Sequence, residues 1–159
     1  MAVKEFELFH GAVLTKLVRA EKPLTLRMIE TKPGDGWSTY RINDAVRLLV
    51  KHSMIRRSVA RASAKAWQFT FTSDQIRQLT EPDTWAGLVC GSRAATDKEM
   101  EICLLEPDEV GKLLDLASRA SQYVLVKRIE GKGLRVSSGR CGEMIIPRSR
   151  LEKWQVPGS

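Results

Sequence analysis

The residues from Ser38 to Thr72 constrain the fold more than any other stretch. At about 100° per residue, Ser38 to His52 reads as one amphipathic helix, with Ile42, Ala45, Val46 and Leu49 gathered on one side beside Leu48 and Val50. Tyr40, Asp44, Arg47 and Lys51 line the opposite side, with Arg41 and Asn43 near its edges. Ser53 to Arg61 then reads as a basic strand carrying Arg56, Arg57 and Arg61, a short turn spans Ala62 to Lys65, and Ala66 to Thr72 reads as an aromatic strand around Trp67, Phe69 and Phe71.

Charge separates the two ends of the chain. Residues 1–80 carry 14 Lys/Arg against 7 Asp/Glu, whereas residues 81–159 carry 12 against 12. The second half divides again, with 4 basic against 9 acidic residues up to Ser121 and 8 against 3 beyond it. A formal charge of +7 clustered in this way is the electrostatic footprint of a polyanion binder.

With 159 residues the chain can make one domain or two small ones. No apolar run approaches the ~18 residues of a membrane span. Glu5, Glu7, His10 and Lys16 interrupt any apolar core of a signal peptide, so a cytoplasmic location with no membrane partner is expected. Cys90, Cys103 and Cys141 are far apart and form no Cys-x-x-Cys pair, which argues for reduced cysteines packed in strands and against a zinc site or disulfide framework. Neither a metal nor a cofactor is expected.

In chain order, Lys4 to Arg19 predicts a first helix, with Phe6, Phe9, His10, Val13 and Leu17 at helical spacing. Glu5 and Glu7 at its start and Lys16 and Arg19 at its end suit the helix dipole. Pro23 ends it, Thr25 caps a short helix from Leu26 to Thr31, and Lys32 to Gly36 is a loop by its turn residues. Ser73 to Leu79 predicts a short helix capped by Thr72 or Ser73, and Glu81-Pro82-Asp83 a boundary. Thr84 to Gly91 and Glu99 to Leu105 follow as strands around a turn at Ala94 to Lys98, with Met100, Ile102 and Leu104 opposite Glu99, Glu101 and Cys103. Glu106-Pro107-Asp108-Glu109 opens a helix whose core face is Val110, Leu113, Leu114, Leu116 and Ala117. Strands are expected at Tyr123 to Val126, Leu134 to Ser138 and Glu143 to Ile146, then a last helical turn or two from Pro147 to Trp154.

Helix, short helix, loop, helix and hairpin within about eighty residues resemble the winged helix-turn-helix family. The wing turn, unlike the usual one, carries no glycine. The resemblance implies an α+β protein: an N-terminal winged helix of three helices and a β-hairpin wing (1–80), then a small α+β domain with one main helix on a mostly antiparallel sheet (81–159). It implies a DNA-binding regulator or DNA-processing accessory factor with no catalytic residues. Its third helix would offer Thr39, Tyr40, Arg41, Asn43, Arg47 and Lys51 to base edges in the major groove. Its wing would bring Arg56, Arg57, Arg61 and Lys65 to phosphates. The acidic middle beside the basic end is compatible with a homodimer.

Two alternatives stand beside this one. A winged helix can serve solely as a protein-interaction module. Separately, the acidic stretch from Asp97 to Glu101 before a helix resembles the PD-(D/E)xK nuclease core, in which acids bind Mg²⁺ and a lysine assists the attacking water. There Glu101 lacks a lysine two residues on, so Asp83 or Asp97 would complete the acids and Lys127 would supply the lysine. Gly131-Lys132-Gly133 is too short for a phosphate loop.

Overall fold

The computed structural model describes residues 2, 4–19, 24–32, 36–54, 64–92, 100–129 and 131–157. Its elements, in order, are α1 (Glu5–Val18), β1 (Leu26–Lys32), β2 (Trp37–Ile42), β3 (Val46–Met54), β4 (Ala64–Phe71), α2 (Ser73–Thr80), β5 (Thr84–Gly91), β6 (Glu101–Leu105), α3 (Pro107–Leu113), β7 (Gln122–Ile129), β8 (Leu134–Ser138) and β9 (Met144–Ile146). They build two sheets. The larger has the order β1-β2-β3-β5-β6 and is antiparallel except where β3 runs parallel to β5; the smaller is antiparallel, in the order β4-β7-β8-β9.

The winged helix is not present. The residues expected to form its third helix are two antiparallel strands, β2 and β3, reversing at Asn43 and Asp44. Both turn residues have positive φ, 53° and 51°, a conformation that Asn and Asp reach more readily than most residues. The Ala45 N–H closes the turn on the Ile42 carbonyl at 3.0 Å. The helical spacing misled because both faces of these strands are buried. Trp37, Ser38, Thr39 and Tyr40 are buried in succession, as are Leu48 to Lys51, so the period of two is hidden. The residue types favoured strand all along, since Trp, Thr, Tyr, Ile and Val suit a pleated surface.

The expected short helix at Leu26 to Thr31 is likewise strand β1, bulged between Met28 and Glu30. Six residues are too few to repay helix nucleation, whereas β2 offers a ready ladder. The expected wing fails for a topological reason: β3 and β4 lie in different sheets, and β4 pairs with β7. Residues 55–63, with Arg56, Arg57 and Arg61, lie outside the described residues, as does the expected turn at 94–98.

Elsewhere local signals coincide with the elements. α1 buries Phe9, His10, Val13 and Leu17 against β3 and β5, and the Glu7 carboxylate accepts the Lys4 N–H at 2.9 Å. The Gln75 amide oxygen accepts the N–H of Thr72 where α2 begins. α3 starts on Pro107 and buries Val110 and Leu113, but it ends at Leu113, before the Leu114, Leu116 and Ala117 expected on its core face, while β5, β7, β8 and β9 fall where strands were expected.

One core lies between α1 and its face of the larger sheet: Phe9, Val13, Tyr40, Ile42, Leu48, Val50 and Leu104, joined by Leu151 of the C-terminal segment. The other joins the opposite face to the smaller sheet and to α2 and α3, and includes Trp37, Leu49, Leu88, Trp67, Phe69, Phe71, Ile76, Leu113 and Val126. The sheets cross the boundary expected at residue 80, because β3 pairs with β5 and β4 with β7.

Gly91 sits where α1 presses closest. A Cβ there would lie 2.8 Å from Phe9 Cζ and 3.1 Å from Met54 Sδ, whereas one on Gly87 would meet nothing nearer than 3.5 Å. Gly91→Ala is therefore expected to cost about 1–3 kcal/mol through overpacking. Gly87→Ala should be close to neutral. Urea unfolding of both variants checks this, and equal midpoints would contradict the packing described.

Candidate nucleic-acid interface

Reversal of the chain at Asn43-Asp44 sets Arg41 directly opposite Arg47. On the other side of β2, Arg41 is also opposite Arg27 of β1. Residues directly opposite one another share a sheet face, so three arginines cross β1, β2 and β3 in one row. Neighbouring strands stand about 4.8 Å apart, which places the outer two Cα atoms on the order of 10 Å from each other. Arg27 is exposed at the sheet edge, while Arg41 and Arg47 are half-buried.

α2 lies against this same face. Arg47 Nη2 donates to Gln78 Oε1 at 2.8 Å, and Gln78 Nε2 donates to Glu30 Oε2 at 2.9 Å. Farther along β3, Lys51 is only 8% exposed; its Nζ donates to Gln75 Oε1 at 3.0 Å and stands 5.7 Å from the centre of the Phe71 ring. Thr39, fully buried, lies between these levels. Its Oγ1, with Arg41 Nε and Arg47 Nε, is buried without a hydrogen-bond partner among the described residues.

Like charges directly opposite on a sheet are destabilising, and ordinarily acids relieve them. Among the described residues no ion pair is formed by Arg27, Arg41 or Arg47. The nearest acid in the ladder is Glu30, opposite Thr39 and already bonded by Gln78. The face keeps a net cationic field, with Glu30 as the one acid in its ladder among the described residues and the amides of α2 beside it.

Of the residues expected to meet DNA, the structure thus brings together Thr39, Arg41, Arg47 and Lys51, on a sheet face instead of a helix. Tyr40 points the other way, into the core under α1. Asn43 holds the turn: its Oδ1 accepts the Thr25 N–H at 2.8 Å and its own N–H donates to the Thr25 carbonyl at 2.9 Å. Lys65 lies on β4 of the smaller sheet, opposite Arg128. Sequence reasoning missed Arg27, Glu30, Gln75 and Gln78. Treating Asn43-Asp44 as a hairpin turn would have paired Arg41 with Arg47, and Arg27 would have followed from the next strand.

The carboxylates suspected of nuclease chemistry do not converge. Glu101 pairs with Cys90 at the far end of β5, while Asp83 precedes that strand, about 20 Å away at the usual rise per residue. Glu101 is also not on a solvated face. It is 8% exposed and held by the guanidiniums of Arg148 and Arg128, the latter at 3.3 Å. Lys127 is exposed on β7 of the smaller sheet. Among the described residues no group of three His, Cys, Asp or Glu side chains is placed to hold a metal ion, and none of the helices is long and apolar enough to cross a membrane. Cys90 and Cys103 are buried, and burial raises both thiols above their ordinary pKa.

No family model, curated protein or solved structure matches the chain.

Proposed function

We propose that the protein binds nucleic acid through the α2-side face of β1, β2 and β3. The observation that carries this reading is the in-register row Arg27–Arg41–Arg47 with no ion pair among the described residues. A phosphate backbone supplies the missing negative charge, and guanidinium pairs with phosphate oxygens through two parallel N–H bonds. The +7 charge of the chain adds long-range attraction. Affinity in this mode depends on charge more than on sequence.

Three phosphate contacts predict a slope of log K against log salt of about −2 to −3. Arg27→Glu combined with Arg41→Glu should flatten that slope by about two and weaken binding to all sequences alike. Fluorescence anisotropy with mixed-sequence single- and double-stranded oligonucleotides over a salt series measures both quantities. If neither is bound at low salt, the reading is wrong.

A second reading is favoured by the layout of the larger sheet. Helix α1, three antiparallel strands, helix α2 and the parallel strand β5 come in that order, interrupted by β4 of the smaller sheet between β3 and α2, with Lys51 buried on the third strand. That order resembles the PD-(D/E)xK core. The position two residues before Lys51 is Leu49, where those nucleases place an acid, and the described residues do not offer a metal-binding set. The resemblance is one of scaffold, a topology that suits nucleic-acid binding without supplying a cleavage step.

A further inference from the structure

We infer that the Arg27–Arg41–Arg47 row is a site for a phosphomonoester dianion, such as the phosphate at the end of a nucleic-acid strand. This deepens the nucleic-acid reading without depending wholly on it, since a free phosphate would occupy the same groups. Charge is the first argument. An internal phosphodiester carries one negative charge, whereas a terminal phosphate carries between one and a half and two at neutral pH, with its second pKa about 6. Three guanidiniums without an ion pair among the described residues, over roughly 10 Å, match the more highly charged group better.

The second argument is the shape of the row. It begins on the exposed edge strand with Arg27 and passes to the half-buried Arg41 and Arg47. It then ends against Thr84 of β5, which is opposite Arg47 and 1% exposed. The inner end is also covered by α2, through the Arg47–Gln78 bond at 2.8 Å. A diester has chain on both sides and needs two exits. A terminal phosphate has one link and can enter from the β1 edge. The third argument is the buried polar atoms along the row. Arg41 Nε, Arg47 Nε and Thr39 Oγ1 lack partners among the described residues, and such groups destabilise a fold that never satisfies them.

The test uses the full chain and three probes: one oligonucleotide with a 5′-phosphate, a 3′-phosphate or only hydroxyl ends; a mononucleotide; and inorganic phosphate. A terminal phosphate is expected to tighten oligonucleotide binding by about tenfold at pH 7.5. The preference should fade below pH 6 as the group becomes a monoanion. Arg41→Gln should erase the preference. Arg27→Gln, at the exposed edge and harmless to folding, should reduce it. Inorganic phosphate should raise the melting temperature of the parent protein but not of Arg41→Gln. If phosphorylated and hydroxyl ends bind equally and with steep salt dependence, this inference is overturned while nucleic-acid binding stands. Should phosphate stabilise the parent, but not Arg41→Gln, while no oligonucleotide binds, the phosphate site stands and the nucleic-acid reading falls. Absence of both effects removes both.

Discussion

Trp67→Ala is expected to destabilise the protein by about 3–5 kcal/mol and to loosen both sheets in a single transition. Trp67 is fully buried on β4, and its indole Nε1 donates to the Gly91 carbonyl at the end of β5 at 2.8 Å. It therefore joins the smaller sheet to the larger. Truncation removes a large apolar surface, opens a cavity and leaves a buried carbonyl without its donor. Domains of this size are stable by only about 5–15 kcal/mol, so the urea midpoint should fall by roughly 2 M at the usual slope. Trp67→Phe keeps most of the packing but loses the donor and the volume of the five-membered ring, so it should cost about 1–3 kcal/mol. Far-ultraviolet circular dichroism and fluorescence followed together provide the check. Coincident curves with a lowered midpoint are expected. An unchanged midpoint in Trp67→Ala, or two separate transitions, would show that the sheets do not depend on one another.

The second large effect concerns pH. His10, on the buried face of α1, is 2% exposed, and burial first, then the neighbouring His52, lowers its pKa from 6.5 to about 4, with the Gly36 main chain opposing. His52 is lowered as well, chiefly by burial, although Glu5 at 3.6 Å supports its charged form and Lys51 opposes it. The rings of His10 and His52 meet edge to face at 5.5 Å, and the Phe6 ring packs on His10 at 4.1 Å, tilted by 36°. Well above pH 6.5 the His10 imidazole is neutral whether the chain is folded or not, and stability is unaffected. Between pH 6.5 and about 4 the unfolded chain takes up a proton that the folded one refuses, so stability falls with pH. Over that window the loss from His10 is about 3 kcal/mol. His10→Phe should lack this component. Urea unfolding of both proteins at pH 7 and pH 4.5 isolates it, because the carboxylates common to both cancel. Parallel pH profiles for the two proteins would show that His10 is not held neutral.

How far these features could be read in advance varied along the chain. α1 was visible because Phe9, Val13 and Leu17 recur every four residues against charged neighbours. α3 was visible because proline and acids mark its start, and β5, β7, β8 and β9 because turn residues bound short apolar runs. These are local signals, set by one segment's own geometry. Ser38 to His52 reads as helix because the apolar residues of two doubly buried strands, taken as one segment, match a helical stripe. Only Asn43-Asp44, a turn pair among residues of strong strand preference, spoke against it. The candidate site was half legible. Thr39, Arg41, Arg47 and Lys51 stand out for their chemistry, which the false helix does not alter. Arg27, Gln75 and Gln78 were missed because they reach the site from β1 and α2, at a distance no periodicity can bridge.

What the amino-acid sequence determined by itself is the basic excess of the first half, the bounds of α1, the start of α3, the place of most strands, and the residue types able to hold an anion. The tertiary structure decided which residues face which. It placed β4 in the second sheet instead of beside β3, set three arginines in register, and turned Tyr40 and Asn43 away to structural tasks. The physical reason is that helix periodicity, caps and turns are interactions between near neighbours. Strand partnership and shared burial are settled only when distant segments compete for the same hydrogen bonds and apolar surface.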